Sequence, residues 1–361
     1  MSRPATLGWL ARHELGLVWR DWLSMMTAGK RGREPLVALA IVVLAALAHL
    51  LAYAIVAPVA GAGIAPDKTT LVMVTGCAFL SWSAMLSQAM ESVTRAFYAR
   101  SDLDLILSSP ASVRRVFAVR IGAIALSTML LAMLLAGPFI NALAVHAGAR
   151  WLAAYGVLCG MAAISAALAV VVTVALFRTL GPKRTRLISQ IVAAVVGAAF
   201  VIGVQAAAIL YTGSYSRLSI LRSDAIVALV PDLTSPIWWP ARAAMGDPTA
   251  LVVVLGVSLG ALVIVTGVFS ARFGDHVIAA SGVAFGAKRT RRRIDGFRQA
   301  STKRALRRKE WTLLRRDPWL ASQTLMQILY LLPPALLLWR NFGTTIGTLV
   351  ILVPVLVMAS G

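Results

Sequence analysis

Eight long apolar stretches constrain the fold of this chain more than any other feature of its sequence. A helix needs about 20 mostly apolar residues to cross the hydrocarbon core of a membrane, and each stretch is close to that length or longer. The stretches are 36–59, 70–90, 116–143, 151–177, 187–211, 250–271, 320–339 and 343–361. Ala, Val, Leu and Ile continue through each one without period-two alternation, which favours helices over barrel strands. The sequence therefore predicts an all-α, polytopic integral membrane protein.

The composition excludes the common water-soluble classes. The 361 residues are 59% hydrophobic and only 14% charged, yet the formal net charge is +21. A soluble domain carries about 25% charged residues, and a disordered basic tail would be poor in apolar residues. Strongly basic chains often bind nucleic acid, but a mean hydropathy of +0.81 indicates that most of this chain avoids water.

The basic residues fall on alternate connections between the apolar stretches. Residues 3–33, 95–120, 178–186 and 288–316 hold 28 of the 35 Lys and Arg residues. Cytoplasmic loops carry an excess of Lys and Arg, so these connections share one side if the N-terminus is cytoplasmic. The densest run, 288–309, is interpreted as a cytoplasmic linker attracted to anionic membrane lipids rather than to nucleic acid. The Ala-, Arg- and Val-rich composition suggests a bacterial inner membrane.

A short internal repeat precedes two of the apolar stretches. Residues 12–21 recur as 308–317 at a constant offset, with identical Arg, Glu, Leu, Arg and Asp residues. In the first copy the apolar side chains share one helical face, which predicts an interfacial amphipathic helix with Trp at headgroup depth. Its candidate residues are Glu14, Trp19, Arg20, Asp21 and Trp22. A contact helix for a partner subunit is the alternative interpretation.

The repeat suggests a division of the chain into four parts. Residues 1–34 form the cytoplasmic interfacial helix, and 35–272 form a six-span unit with a coupling loop at 91–115 and an external loop at 212–249. Residues 273–319 form a basic cytoplasmic linker with a second interfacial helix, and 320–361 begin a second, incomplete transmembrane unit. We expect the sequence to be a piece of a longer protein with two parallel halves.

The sequence carries no motif for chemistry of its own. It has no phosphate-binding G-x-x-x-x-G-K-[ST] loop and no H-E-x-x-H motif, so we expect no enzyme activity and no catalytic, cofactor or metal site. The stretch 256–260 matches G-x-S-x-G, but Ser258 lies in an apolar span, where helix packing by small residues is the better interpretation. Cys77 and Cys159 are interpreted as packing or lipid-facing residues.

Ionisable residues are nearly absent from the apolar stretches. All 14 carboxylates lie in connections or at the ends of the stretches. His49 lies in the middle of the first stretch, where a hydrogen bond to a neighbouring helix is the expected role. This distribution disfavours proton- or ion-coupled transport, which usually needs an ionisable side chain within the membrane.

The connection between the second and third stretches is the most informative cytoplasmic segment. Leu103, Ile106 and Leu107 share one helical face, after Asp102 and Asp104. Pro110 then ends the helix, and Ser112 is predicted to cap the next helix, which begins with Arg114 and Arg115. A short amphipathic helix of this kind can transmit force from a soluble partner; a hairpin loop on the headgroups is the alternative.

The segment 102–117 resembles the cytoplasmic loop of the permease subunits of type-2 ATP-binding cassette (ABC) exporters. The order of parts is also similar: an interfacial helix, two spans, a coupling loop, three spans, a long external connection and a sixth span. The resemblance implies a membrane permease that moves a substrate with energy from a separate cytoplasmic ATPase, which binds the ATP. Residues 102–115 would dock on that ATPase, and the chain would form a pseudo-dimer of fused halves or a homodimer.

The residues leave other functions open. A membrane scaffold or accessory protein without transport is one alternative, and a secondary transporter is another. For a transporter, polar residues on the spans would line the pathway, and their polarity suits lipids, peptides or drugs alike. The candidates are Thr75, Ser81, Ser83, Gln88 and Gln205.

Overall fold

The fold is a bundle of long α-helices, seen in a computed structural model. It describes residues 7–27, 29–30, 32–61, 64–98, 112–212, 230–270 and 301–316, with short pieces between 324 and 336. Those residues contain no strand. The helices are α1 (Leu7–Thr27), α2 (Glu34–Gly61), α3 (Lys68–Tyr98), α4 (Val113–Ala147), α5 (Ala153–Thr212), α6 (Trp239–Ala244), α7 (Pro248–Ser270) and α8 (Thr302–Arg316). Two 3₁₀ turns, Ala149–Leu152 and Pro236–Trp238, precede α5 and α6.

Five helices are long and apolar enough to cross a membrane. They are Glu34–Ala60, Lys68–Ala96, Arg114–Ala147, Ala149–Gly181 and Pro248–Ser270. The stretch predicted as the fifth of six spans contains a shorter apolar helix, Leu187–Ala199, within α5. The prediction of an all-helical membrane protein is therefore confirmed for the described residues, and the fifth predicted span, 187–211, stays a prediction. The proposed spans after residue 319 lie almost wholly outside the described residues.

Apolar side chains cover the outside of the bundle. Leu36, Leu50 and Val252 are each about two thirds exposed or more, while Ser165, Thr173 and other hydroxyl residues are buried. A soluble protein has the opposite distribution, because water penalises large apolar patches. The surface of α2 and α7 is consistent with contact with lipid.

Helix α5 consists of two arms that meet at Gly181. Gly181 has φ of 73° and ψ of 166°, a backbone conformation outside the helical region that favours glycine. The second arm returns alongside α3, because Ser189 contacts Thr94 while Val196 and Ala199 line the same groove as Trp82. The connection predicted between the fourth and fifth spans is thus a single break in a helical segment, and the two arms run in opposite directions.

Helices α2 and α4 run in the same direction and share a polar contact. Asn141 Nδ2 lies 3.2 Å from His49 Nε2, and Tyr53 meets His146 edge to face with ring centroids 4.3 Å apart. His49 Nδ1 faces the Ala45 carbonyl oxygen at 2.8 Å, so Nδ1 carries the proton and Nε2 accepts from the amide. The expected role of His49, a hydrogen bond to a neighbouring helix, is confirmed.

Small residues bring α7 against the first arm of α5. A Cβ added at Gly160 would lie 3.3 Å from Ser258 Oγ, and one at Gly156 would lie 2.9 Å from a Leu251 methyl group. The packing interpretation is right for Ser258, which is buried. Among the described residues it fails for Gly256 and Gly260, because no atom lies within 4 Å of a Cβ added at either position, so Ser258 is the residue of this motif that contacts α5.

A compact cap closes the end of the bundle opposite the α3–α4 connection. It contains the described end of the predicted external loop, residues 230–247, whereas residues 213–229 lie outside the description. Trp238 is buried in it, and its indole nitrogen donates to the Asp232 carbonyl oxygen at 3.0 Å. Gly246, with φ of 98°, lies directly against Arg150 of the 3₁₀ turn before α5.

Asp247 caps α7 and should make the stability of the protein depend on pH. It accepts from the Ala250 backbone N–H at 3.1 Å and from Arg242 Nη2 at 2.7 Å. The Ala250 hydrogen bond, followed by the Arg242 contact, lowers the pKa of the Asp247 carboxyl below its ordinary value. A lowered folded-state pKa contributes stability that is present above the unfolded-state pKa, about 3.9, and is lost as pH falls through the folded-state pKa.

Replacing Asp247 with Ala is therefore expected to lower the free energy of unfolding at pH 7 by about 0.5–2 kcal/mol, the usual loss for a helix cap. Thermal unfolding of the purified chain in detergent measures this. The Asp247→Asn variant keeps a capping oxygen and should lose only part of that stability, while showing less pH dependence between pH 5 and pH 2. Equal pH dependence of the wild type and Asp247→Asn would contradict the assignment.

Candidate functional site at the basic end of the bundle

The predicted coupling loop is only partly described. Asp102, Leu103, Asp104, Ile106, Leu107 and Pro110 lie outside the described residues. Arg114 and Arg115 lie in the first turn of α4, and both are exposed. The prediction that Ser112 caps this helix is confirmed: its side chain accepts from the Arg115 backbone N–H at 3.4 Å, with φ of −68° and ψ of 126°.

Helices α3 and α4 are longer than a membrane crossing requires. They have 31 and 35 residues, or about 46 and 52 Å at 1.5 Å per residue, against about 30 Å for the hydrocarbon core. At the end where the two helices are joined, α3 carries Glu91 and Arg95 and α4 carries Arg114, Arg115 and Arg120, while Lys68 lies at the other end of α3. We call residues 91–98 and 113–120, the ends of the two helices beside the connection, the helical stalk.

The helical stalk has a buried core, which makes it a packed structure rather than a pair of frayed helix ends. Val93 is fully buried, and Phe117 and Ile121 are each 1% exposed. Val174 and Ala193, from the two arms of α5, pack in the same cluster. Because close-packed interiors have low compressibility, a displacement of the connection at the tip would be transmitted into the bundle.

A hydroxyl pair inside this core joins α3 to the second arm of α5. Thr94 Oγ1 lies 2.7 Å from the Met90 carbonyl oxygen and 3.0 Å from Ser189 Oγ, and both residues are at least 98% buried. Thr185 donates to the Gly181 carbonyl oxygen at 2.9 Å, one turn after the break in α5. This pair is not predictable from the sequence, because hydroxyl residues in apolar spans are common and nothing local indicates that positions 94 and 189 meet.

The surface of this end is positively charged. Arg95, Arg114, Arg115, Arg178 and Arg184 are exposed. Glu91 lies 3.6 Å from Arg95, one helical turn away, and Arg120 donates to the Ala96 carbonyl oxygen at 3.4 Å. The second contact ties α4 to the end of α3 beside the connection. The arrangement suits a partner or lipid surface with negative charge.

The predicted interfacial helix exists as α1, which packs against α4 and α2. Trp19 is 60% exposed and Met26 is 50% exposed, and Arg20 is exposed as well. Glu14, Asp21 and Trp22 lie in the helix, but their side chains are outside the description. Exposed Trp and Met side chains are typical of a helix at headgroup depth. Their exposure alone does not establish that depth, and the interfacial role of α1 stays a prediction.

Four of the candidate pathway residues lie on α3 and one on the second arm of α5. Ser83 borders a groove of about 400 Å³ between these two segments, together with Phe79, Trp82 and Val196. The hydroxyls of Ser81 and Ser83 bond to carbonyl oxygens of their own helix, and Gln205 is buried. Thr75 and Gln88 are half-buried. The structure thus brings one candidate, Ser83, to a groove wall.

The described residues of this end offer hydrogen bonding, positive charge and apolar grooves. Within them, no three His, Cys, Asp or Glu side chains come together as metal ligands. Cys77 is exposed and Cys159 is half-buried, as small packing or lipid-facing residues would be. Comparison with protein-family models, curated proteins and solved structures found no match to this chain.

Proposed function

We propose that this chain is the membrane permease component of an ATP-driven ABC exporter. It would move a substrate across a bacterial inner membrane, with its N-terminus in the cytoplasm, using energy from a separate ATPase subunit. The observation that carries the proposal is the helical stalk, because α3 and α4 are longer than a crossing requires and their ends beside the connection 99–111 pack together with α5. A permease without its own nucleotide site needs such an element to receive movement from a partner.

The coupling step would run from the connection to the bundle. In the proposal, the face made by Leu103, Ile106 and Leu107 fills a groove on the ATPase, as amphipathic helices do on their partners. The stalk core around Phe117 would then carry the displacement to both arms of α5, and the Thr94–Ser189 contact adds a link to the second arm. Anionic lipids would neutralise the exposed arginines around the stalk. The chain would act as a homodimer or as one part of a pseudo-dimer of fused halves.

The test is co-purification of this chain with a co-expressed cytoplasmic ABC ATPase from the same source, chosen by pairwise screening of the wild-type chain. Changing Leu103, Ile106 and Leu107 together to Gln is expected to reduce ATPase recovery at least tenfold, since the apolar contact is lost, without changing membrane insertion. A matched control changes Leu306, an exposed apolar residue of α8, to Gln. Undiminished recovery of the ATPase with the triple variant would overturn the docking assignment. Stimulation of ATP hydrolysis in vesicles is a second test, which separates a transporter from a scaffold.

A further inference from the structure

A lipid-facing groove lies between α4 and α7 at the basic end of the bundle. It has a volume of about 370 Å³, within the usual range of about 300–1,000 Å³ for ligand pockets. Ala118 and Gly122 of α4 and Gly267 of α7 leave the space open, because their side chains are small or absent. Val263 on the opposite wall is 70% exposed, so the groove opens toward the surrounding membrane.

Two arginines lie on the helical stripe that forms the α4 wall of this groove. Arg115 lies three residues before Ala118 and seven before Gly122. Arg114 lies four residues before Ala118 and eight before Gly122. With these spacings all four positions share one face of the helix. Helical side chains lean toward the N-terminus of their helix, which directs both arginines to the headgroup level. Gly122 lies about 11 Å farther along the helix axis, inside the hydrocarbon.

Among the described residues, few negatively charged groups lie near the arginines at this end of the bundle. The carboxylate of Glu91 lies beside Arg95 on α3, and Arg120 donates to the Ala96 carbonyl oxygen. Arg114 and Arg115 are exposed in the first turn of α4, next to the groove. The guanidinium group matches phosphate in charge and in bidentate geometry. An apolar trough below two such groups has the amphipathic layout of a phospholipid.

We propose that the groove between α4 and α7 binds one anionic phospholipid. Its phosphate pairs with Arg114 and Arg115, and one acyl chain lies along Ala118 and Gly122. This site does not depend on the function proposed above, since a scaffold or any transporter with this surface would bind the same lipid. It places a lipid at the base of the connection that joins α3 to α4.

The experiment is native mass spectrometry of the purified full chain, titrated with phosphatidylglycerol or with phosphatidylcholine. We expect one phosphatidylglycerol to be retained in preference to phosphatidylcholine. The double variant Arg114→Gln/Arg115→Gln should weaken that binding roughly thirtyfold, because each basic residue contributes about 1 kcal/mol next to anionic lipid and 1.4 kcal/mol is a factor of ten. Gly122→Leu fills the groove and should also reduce retention.

Matched controls separate this site from general surface charge. Arg178→Gln removes another exposed arginine from the same end, and Gly256→Leu adds the same side chain to an open position on α7. Both should retain the lipid as the wild type does. Equal retention of the two lipids, a loss in Arg178→Gln as large as in the double variant, or displacement by inorganic phosphate would each overturn the proposal.

Discussion

Replacing Gly246 with Ala is expected to lower the free energy of unfolding by about 2–5 kcal/mol. The residue has φ of 98°, and the left-handed region costs a residue with a Cβ about 1–2 kcal/mol. The added Cβ would lie 2.6 Å from Arg150 Cβ and 3.0 Å from the Arg150 carbonyl oxygen. A backbone atom cannot rotate away as a flexible side chain can, and overpacking costs about a further 1–3 kcal/mol. Thermal unfolding of the purified chain in detergent measures the loss.

Gly32→Ala is the matched control for that experiment. Gly32 has φ of 86° and no described atom within 4 Å of an added Cβ. It shares the backbone strain with Gly246 and lacks the collision, so it should lose only about 1–2 kcal/mol. If the two variants unfold at the same temperature, the close contact between the cap and the turn before α5 is not as described.

Replacing Gly160 with Leu is expected to separate α7 from the first arm of α5. The Cβ alone would reach 3.3 Å from Ser258 Oγ and 3.5 Å from a Val254 methyl group, and three more carbon atoms have to be placed beyond it. Overpacking of this kind costs about 1–3 kcal/mol and more where helices cannot move apart. Small residues allow close helix approach in membranes, where no hydrophobic force holds helices together. We therefore expect a lower melting temperature and faster proteolysis near the ends of α7.

The same substitution at Gly256 provides the control for Gly160→Leu. Gly256 lies on α7 itself, is exposed, and has no described neighbour within 4 Å. The added Leu would face lipid there and should leave stability unchanged or slightly higher. If Gly256→Leu destabilised the chain as much as Gly160→Leu, the loss would come from the chemistry of Leu in a span rather than from the α5–α7 contact.

Local signals lead to correct predictions where the residues of one segment are sufficient. Ser112 was identified as a helix cap from its place between Pro110 and two arginines, and its side chain does accept from the Arg115 backbone. His49 was expected to bond to a neighbouring helix, although only the structure identifies Asn141 as that partner. A cap depends on residues three apart, and a polar group in an apolar span needs some partner in any fold.

Predictions that required the rotation of a helix were less successful. The spacing of Gly256, Ser258 and Gly260 suggested a packing surface, yet only Ser258 meets α5, because the two glycines lie on another face of α7. The sequence predicts two helical segments joined by residues 178–186, and the structure has two oppositely directed segments, but only Gly181 between them is non-helical. The neighbouring helices decide which face of a span turns inward. The sequence of an apolar span without a polar face therefore carries little information about its rotation.

The sequence by itself determined the all-helical class and the membrane environment. Both depend on the length and apolar character of single segments, since every backbone polar group in lipid must be satisfied within its own helix. Only the tertiary structure decided which residues meet: Thr94 with Ser189, 95 residues apart, Gly246 with Arg150, and the groove between α4 and α7. These contacts depend on the depth, direction and rotation of helices packed side by side, which the residues of one helix do not specify alone.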